Sequence, residues 1–208
     1  MLESLALVHW GTAWPFLLAI FVFSYLLGSI PFGLIFAWLS GAGDIRKIGS
    51  GNIGATNVLR TGKRWAAAAT LLADAGKALV AVAMAEAWFG LDVFPAVAGF
   101  GAFTGHLYPV WLNFKGGKGV ASFIGITIGL TLLVGLVTCL TWLVTARAFR
   151  TSSLAALVAA AMTPVYFALI GEYLFALLGV VLAVLIFYSH RSNLQRLRRG
   201  EEPKIGRK

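Results

Sequence analysis

Charged residues are scarce in this sequence: Asp, Glu, Lys and Arg make up 12% of it, against 59% hydrophobic. Soluble domains usually carry about 25% charge. So little charge cannot cover a surface in water, and a mean hydropathy of +0.85 makes lipid the expected solvent. Cysteine is almost absent. Cys139 is the one thiol, so no intrachain disulfide can form. It lies within an apolar run with no base nearby, which reads as packing and not as a nucleophile. Acidic residues are few, 8 against 17 basic ones, for a net charge of +9. In a soluble protein that excess would raise nucleic acid as a partner. Here it fits cytoplasmic loops beside anionic headgroups, and no nucleic-acid partner is expected. Residues Met1–Ala13 contain no Lys or Arg. The basic start of a cleavable signal peptide is therefore missing, and the first apolar run is expected to remain as a span. No Pro- or Ser-rich linker and no repeat of about 20–50 residues divides the chain, so residues 1–208 read as one membrane-embedded domain.

What is present is long apolar runs. Trp14–Leu39, Trp65–Trp88 and Val93–Leu112 are each long enough to cross about 30 Å of hydrocarbon. Leu154–Ser189 is too long for one crossing, roughly 54 Å as a single helix, and Gly171-Glu172 supplies a turn and a charge to divide it. Val120–Ala146 reads either as one span or as a hairpin of two short helices.

Charge sign separates these alternatives. As one span, it gives six crossings and sets the basic tail Arg191–Lys208 opposite the basic loop Asp44–Arg64. As a hairpin, it gives seven, and every Lys and Arg except Lys77 falls on one side. Glu3, Glu86, Asp92 and Glu172 then fall on the other. The positive-inside rule makes the basic side cytoplasmic, with the N-terminus outside and the C-terminus inside. The expected fold is all-α and polytopic, with about seven transmembrane helices; five is the rival count if the longer runs include re-entrant pieces. Trp14, Trp38, Trp65, Trp88 and Trp111 near the expected span ends read as interfacial anchors.

Three polar segments on the basic side carry candidate chemistry. In the first loop Gly49, Gly51 and Gly54 alternate with Ser50, Asn52, Thr56 and Asn57, and Arg60 follows. Glycine lets backbone N–H groups converge into an anion nest, and a guanidinium grips phosphate through parallel hydrogen bonds. The spacing is not that of a Walker A loop. In the second loop Lys115-Gly116-Gly117-Lys118-Gly119 leads directly into an apolar helix. Unpaired N–H groups at a helix start, with two lysines beside them, suit a phosphate. In the third, His190, Asn193 and Arg196 recur every three residues beyond the last span, on one face of a continuing helix, while Arg198 and Arg199 suit anionic lipid. Asp74 and Lys77 are also three apart, but inside a span. They read either as a structural pair or as Lys77 assisting an anion.

These segments resemble, along the whole chain, the bacterial acyl-phosphate-dependent glycerol-3-phosphate acyltransferases, the PlsY family. The resemblance rests on Ser50-Gly51-Asn52-x-Gly54-x-x-Asn57, on Gly105-His106-x-x-Pro109 with Phe114-Lys115-Gly116-Gly117-Lys118-Gly119-Val120, and on His190-x-x-Asn193-x-x-Arg196-Leu197 with Gly200-x-Glu202-x-Lys204. Asp74-x-x-Lys77 and Gly28-Ser29-Ile30-Pro31-Phe32-Gly33 also fit. Ile53, Ala78, Tyr108 and Ser122 stand where the family often has Pro, Gly, Phe and Thr.

The resemblance implies a bacterial inner-membrane enzyme whose active site faces the cytoplasm. It moves the acyl group of a fatty acyl phosphate to the 1-hydroxyl of sn-glycerol 3-phosphate, giving lysophosphatidic acid and phosphate, with no cofactor or metal. It implies a catalytic set of Ser50, Arg60, Lys118, His190 and Asn193. Gly51, Asn52, Gly54, Asn57, Lys77, His106, Lys115, Gly116, Gly117, Gly119, Glu202 and Lys204 would bind or surround the substrates. The base remains open between His106, His190 and a substrate phosphate. A His-x4-Asp pair is absent, since Trp14, Trp111 and Gln195 stand five residues after the three histidines. The rival class is a small transporter or channel for a phosphorylated anion, although no inverted repeat supports it.

Overall fold

The computed structural model describes residues 8–206, and its regular structure is helical throughout that range. Glu3, Arg207, Lys208 and most of the stretch read for a signal peptide lie outside the described residues. The helices are α1 (Trp10–Gly28), α2 (Phe32–Leu39), α3 (Ala55–Leu59), α4 (Arg64–Phe89), α5 (Val93–Leu107), α6 (Val120–Leu130), α7 (Leu132–Phe149), α8 (Ser152–Leu169), α9 (Tyr173–Ser189) and α10 (Arg191–Arg199). Four apolar stretches among the described residues are long enough to cross a bilayer: Trp10–Leu39, Arg64–Phe89, Leu132–Phe149 and Ser152–Leu169. A fifth is possible if α9 and α10, bent by 64°, count as one broken span.

The apolar runs break where the backbone loses a donor or turns left-handed. Pro31 has no N–H and disfavours helix at Ile30, so the run read as Trp14–Leu39 parts into α1 and α2. Ser29 closes α1 by donating to the Tyr25 carbonyl at 2.8 Å. The run read as Val93–Leu112 is helical only to Leu107. Tyr108-Pro109 ends it, a 3-10 turn covers Val110–Leu112, and Asn113 and Phe114 take positive φ. Its α-helical part spans roughly 22 Å, short of a full hydrocarbon thickness. Gly171, at φ +85°, and Glu172 separate α8 from α9, where the sequence placed a division.

The stretch read as Val120–Ala146 folds back at Thr131, whose φ of −156° and ψ of 114° are extended. A Cβ on Gly135 would sit 2.5 Å from the Ile128 Cα. Residues seven apart in one continuous helix would be separated by roughly 10 Å. The stretch is therefore a helical hairpin.

Small residues bring the helices together. Gly101 and Gly105 of α5 lie on the backbone of α1 at Phe21 and Tyr25, and Gly28 of α1 lies on the Ala102 backbone. Gly125 of α6 lies against the Ala75 backbone of α4. Such seams replace the hydrophobic drive that lipid cannot supply with close packing. Phe103, Phe123, Ile126, Phe167, Leu182 and Ile186 fill the interior, whereas Leu72, Leu132, Leu140, Leu169 and Val184 point outward on the helices.

Candidate active site

The glycine-lysine loop is bound to the end of α5 by main-chain bonds. Gly117 N–H donates to the His106 carbonyl and Gly116 N–H to the Leu107 carbonyl, each at 3.0 Å. Gly119 then turns at φ +83° and precedes the first turn of α6. A left-handed turn there favours glycine, and a Cβ would also strike the Phe103 ring. The loop so held carries Lys118, while Lys115 is exposed.

Lys118 meets the tail. Its Nζ donates to Asn193 Oδ1, across 75 residues of sequence. Asn193 passes the connection on, donating to Glu202 Oε1 at 2.6 Å. Ser153 Oγ, at the start of α8, donates to the same oxygen at 2.7 Å, and Arg196 Nε donates to Oε2 at 2.7 Å. Ser189 Oγ donates to the Lys118 carbonyl at 3.2 Å. The tail is further strapped down by Ile205 N–H donating to the Arg150 carbonyl at 2.6 Å.

Burial lowers Lys118 to about 8. Glu202 opposes that shift, and the positive fields of Arg196 and Arg60 reinforce it. Arg60 thus acts on the same spot from the first loop. Glu202 is also partly buried, which alone would raise it, yet hydrogen bonds from Ser153, Asn193 and Arg196 hold its carboxyl below the usual range. His190 is pushed down to about 4 by burial and then by Lys118. With its proton on Nδ1 it donates to the Ile186 carbonyl at 2.9 Å, leaving Nε2 as an acceptor.

The first loop is organised around Asn57, which is buried. Its Nδ2 donates to the Ile45 carbonyl at 2.7 Å, and its Oδ1 accepts from Ser50 N–H at 3.2 Å. Asn52 Oδ1 accepts from Gly54 N–H at 2.9 Å. A Cβ on Gly49 would lie 2.6 Å from an Arg60 guanidinium nitrogen, so the arginine folds over this glycine. Ser50, Gly51 and Arg60 are exposed. Arg46 is engaged elsewhere, in a two-pronged pair with Asp44 at 2.8 Å.

The remaining residues read from the sequence fall in two places. Lys77 and His106 lie behind the glycine loop, both buried, Lys77 at 2.8 Å from Asp74. Lys204 is exposed and, like Lys115, makes no side-chain hydrogen bond among the described residues.

Residues 18–200 match the family described as glycerol-3-phosphate acyltransferase. The chain belongs to this family. A glycerol-3-phosphate acyltransferase of Cereibacter sphaeroides is 58% identical over 187 residues, 90% of this chain and 89% of that one. One of Agrobacterium fabrum is 53% identical over 204 residues, 98% of each. The crystal structure of PlsY, an integral membrane glycerol 3-phosphate acyltransferase, in its glycerol 3-phosphate form superposes with a TM-score of 0.86 at 36% identity. It covers 91% of this chain and 96% of that one. Its lysophosphatidic acid form gives 0.83 at 34%. The chain is accordingly an all-helical, multi-pass integral membrane acyltransferase of that family.

Two features of this acyltransferase were not read from its sequence. Ser153 reaches Glu202 across 49 residues, and the Ile30 carbonyl receives Lys77 across 47. Ser153 stands in the polar run Arg150-Thr151-Ser152-Ser153 and Ile30 in Gly28-Ser29-Ile30-Pro31-Phe32-Gly33, but neither spacing points to its distant partner. Pro31 was the one available signal for the second, since the break it causes frees carbonyls in the turn before it.

Proposed function

We infer that the chain transfers the acyl group of a fatty acyl phosphate to the 1-hydroxyl of sn-glycerol 3-phosphate. The products are lysophosphatidic acid and inorganic phosphate, and the reaction opens phospholipid synthesis. The Lys118–Asn193–Glu202 chain carries this reading, with Arg60 acting on Lys118: cations from separate segments converge beside the glycine loop that opens α6. That arrangement suits two phosphorylated reactants side by side.

An acyl phosphate is already activated, so no covalent enzyme intermediate is needed. The hydroxyl oxygen attacks the acyl carbon, the new ester C–O bond forms, and the acyl carbon–phosphate oxygen bond breaks. The hydroxyl proton passes to a phosphate oxygen, so that the leaving group departs as hydrogen phosphate. The enzyme's part is orientation and stabilisation of charge on the departing phosphate. Lys118, with the Gly116, Gly117 and Gly119 backbone and Lys115, holds one phosphate. Arg60 and Ser50, with the Gly51 and Gly54 backbone, hold or orient the other, on a loop that Asn57 and Asn52 keep in shape. His190 and Asn193 complete the cage, and Glu202 sets the tail.

His190 at about 4 is a weak base at neutral pH, and His106 is buried behind the loop. A substrate phosphate, titrating near pH 6, is the better proton acceptor. The seven-crossing topology, with a cytoplasmic active site in the inner membrane, is supported by the hairpin at Thr131 and by the charge distribution.

Purified protein supplied with palmitoyl phosphate and glycerol 3-phosphate is expected to release lysophosphatidic acid and phosphate in equal amounts, and no product from palmitoyl-CoA. Absence of product from the acyl phosphate would overturn the assignment.

A further inference from the structure

Asp74 and Lys77 lie mid-way along α4, almost fully buried, and their side chains pair with each other, with His106 and with the Ile30 carbonyl. What they reach is the underside of the glycine loop. Asp74 Oδ1 sits 2.8 Å from Lys77 Nζ and 3.6 Å from His106 Nδ1. The far edge of the His106 ring is the surface on which Gly117 rests, because a Cβ on Gly117 would land on Nε2. Ser122, in the first turn of α6, donates to the Asp74 carbonyl at 3.1 Å. On the opposite side Lys77 Nζ donates to the Ile30 carbonyl at 2.8 Å, at the break between α1 and α2. Asp74, Lys77 and His106 together thus link four parts of the chain: the α1–α2 break, α4, the end of α5, and the glycine loop with α6.

We propose that Asp74, Lys77 and His106 are positioning residues for the reaction. They fix the height and tilt of the Gly116–Gly119 backbone, so that Lys118 and the start of α6 meet a phosphorylated reactant in register. The inference rests on the functional reading above. A glycine loop is intrinsically loose, and displacing a binding group by about 1 Å can cost about a hundredfold in rate. An ionisable pair inside a span is expensive and calls for a compensating role. A rigid floor under a loop that must hold phosphate is such a role. The polar contacts of the three residues are with one another, with Ile30, with Ser122 and, through the His106 carbonyl, with Gly117.

The test measures kcat and both KM values for Asp74→Asn, Gly117→Ala, His106→Ala and the His106→Ala/Gly117→Ala pair, with melting temperature in detergent. Asp74→Asn and Gly117→Ala are expected to raise the KM for one phosphorylated substrate about tenfold or more, leaving the other within about twofold. The double variant is expected to recover part of the Gly117→Ala loss, since the added methyl enters the space the imidazole leaves. A merely structural role would lower kcat with the folded fraction and leave both KM values unchanged. That outcome, or losses that multiply in the double variant, overturns the proposal. His106→Gln serves in the same way where Gly117→Ala does not fold. Calorimetric binding of glycerol 3-phosphate and of palmitoyl phosphate separates the two readings. A wild-type protein that binds neither overturns the functional assignment and this proposal together. A wild type that binds both, with Kd values unchanged in the variants, overturns this proposal alone.

Discussion

At the scale of single residues, Lys118 sets the pH behaviour. Its ammonium is held to about 8 by burial and by neighbouring cations. A phosphate dianion beside it favours the charged form, so substrate binding draws a proton onto it. As pH rises through about 8, the free enzyme loses that cation and the KM for the phosphorylated substrate it holds is expected to climb. Lys118→Arg moves the climb above the accessible range, because a guanidinium does not deprotonate there. A steady-state KM profile from pH 6 to 10 checks both variants. Lys118→Ala is expected to lose about ten- to a hundredfold in kcat/KM, the scale of one charge-assisted hydrogen bond.

Glu202 gives a separate prediction, read through stability. Its folded carboxyl titrates below its ordinary value of 4.5. The unfolded chain therefore takes up the proton first as pH falls. The stabilisation is present above about 4.5 and is lost as pH drops through the folded value. Melting temperatures on acidification are expected to fall more steeply for wild type than for Glu202→Gln. Equal slopes would contradict the shift.

Whole helices depend on where glycine is crowded and where it is free. Gly125 lies against the Ala75 backbone, and Gly76 meets nothing within 4 Å. Gly125→Ala overpacks the α4–α6 seam and is expected to destabilise by about 1–3 kcal/mol. Gly76→Ala only stiffens a helix interior and is expected to be neutral or to stabilise by up to about 1 kcal/mol. Thermal melts in detergent compare the two.

Hydropathy and charge made several of these elements legible. The Gly171-Glu172 division and the hairpin within residues 120–146 both follow from length and charge sign. The α1–α2 break and the early end of α5 did not, although Pro31 and Pro109 mark them, because an apolar average over a window hides one missing donor. The candidate site divides the same way. Lys118, Asn193 and Arg60 stand in polar runs with readable spacing. Ser153 stands in a polar run too, but its spacing is mute, since its meaning comes from a partner 49 residues away.

For the molecule as a whole, the polar segments are expected to open on one side of the membrane. In a Cys139→Ser background, Arg199→Cys and Glu172→Cys are expected to react with an impermeant maleimide from opposite faces of oriented vesicles. Labelling from the same face would remove the single-sided arrangement. The central claim is narrower: the glycine-lysine loop and the tail act as one phosphate-holding unit. A double-mutant cycle on kcat/KM with Lys118→Ala and Asn193→Ala tests it most directly. The account predicts a double variant scarcely worse than the poorer single variant, because each substitution already disables the shared unit. Losses that multiply would contradict it.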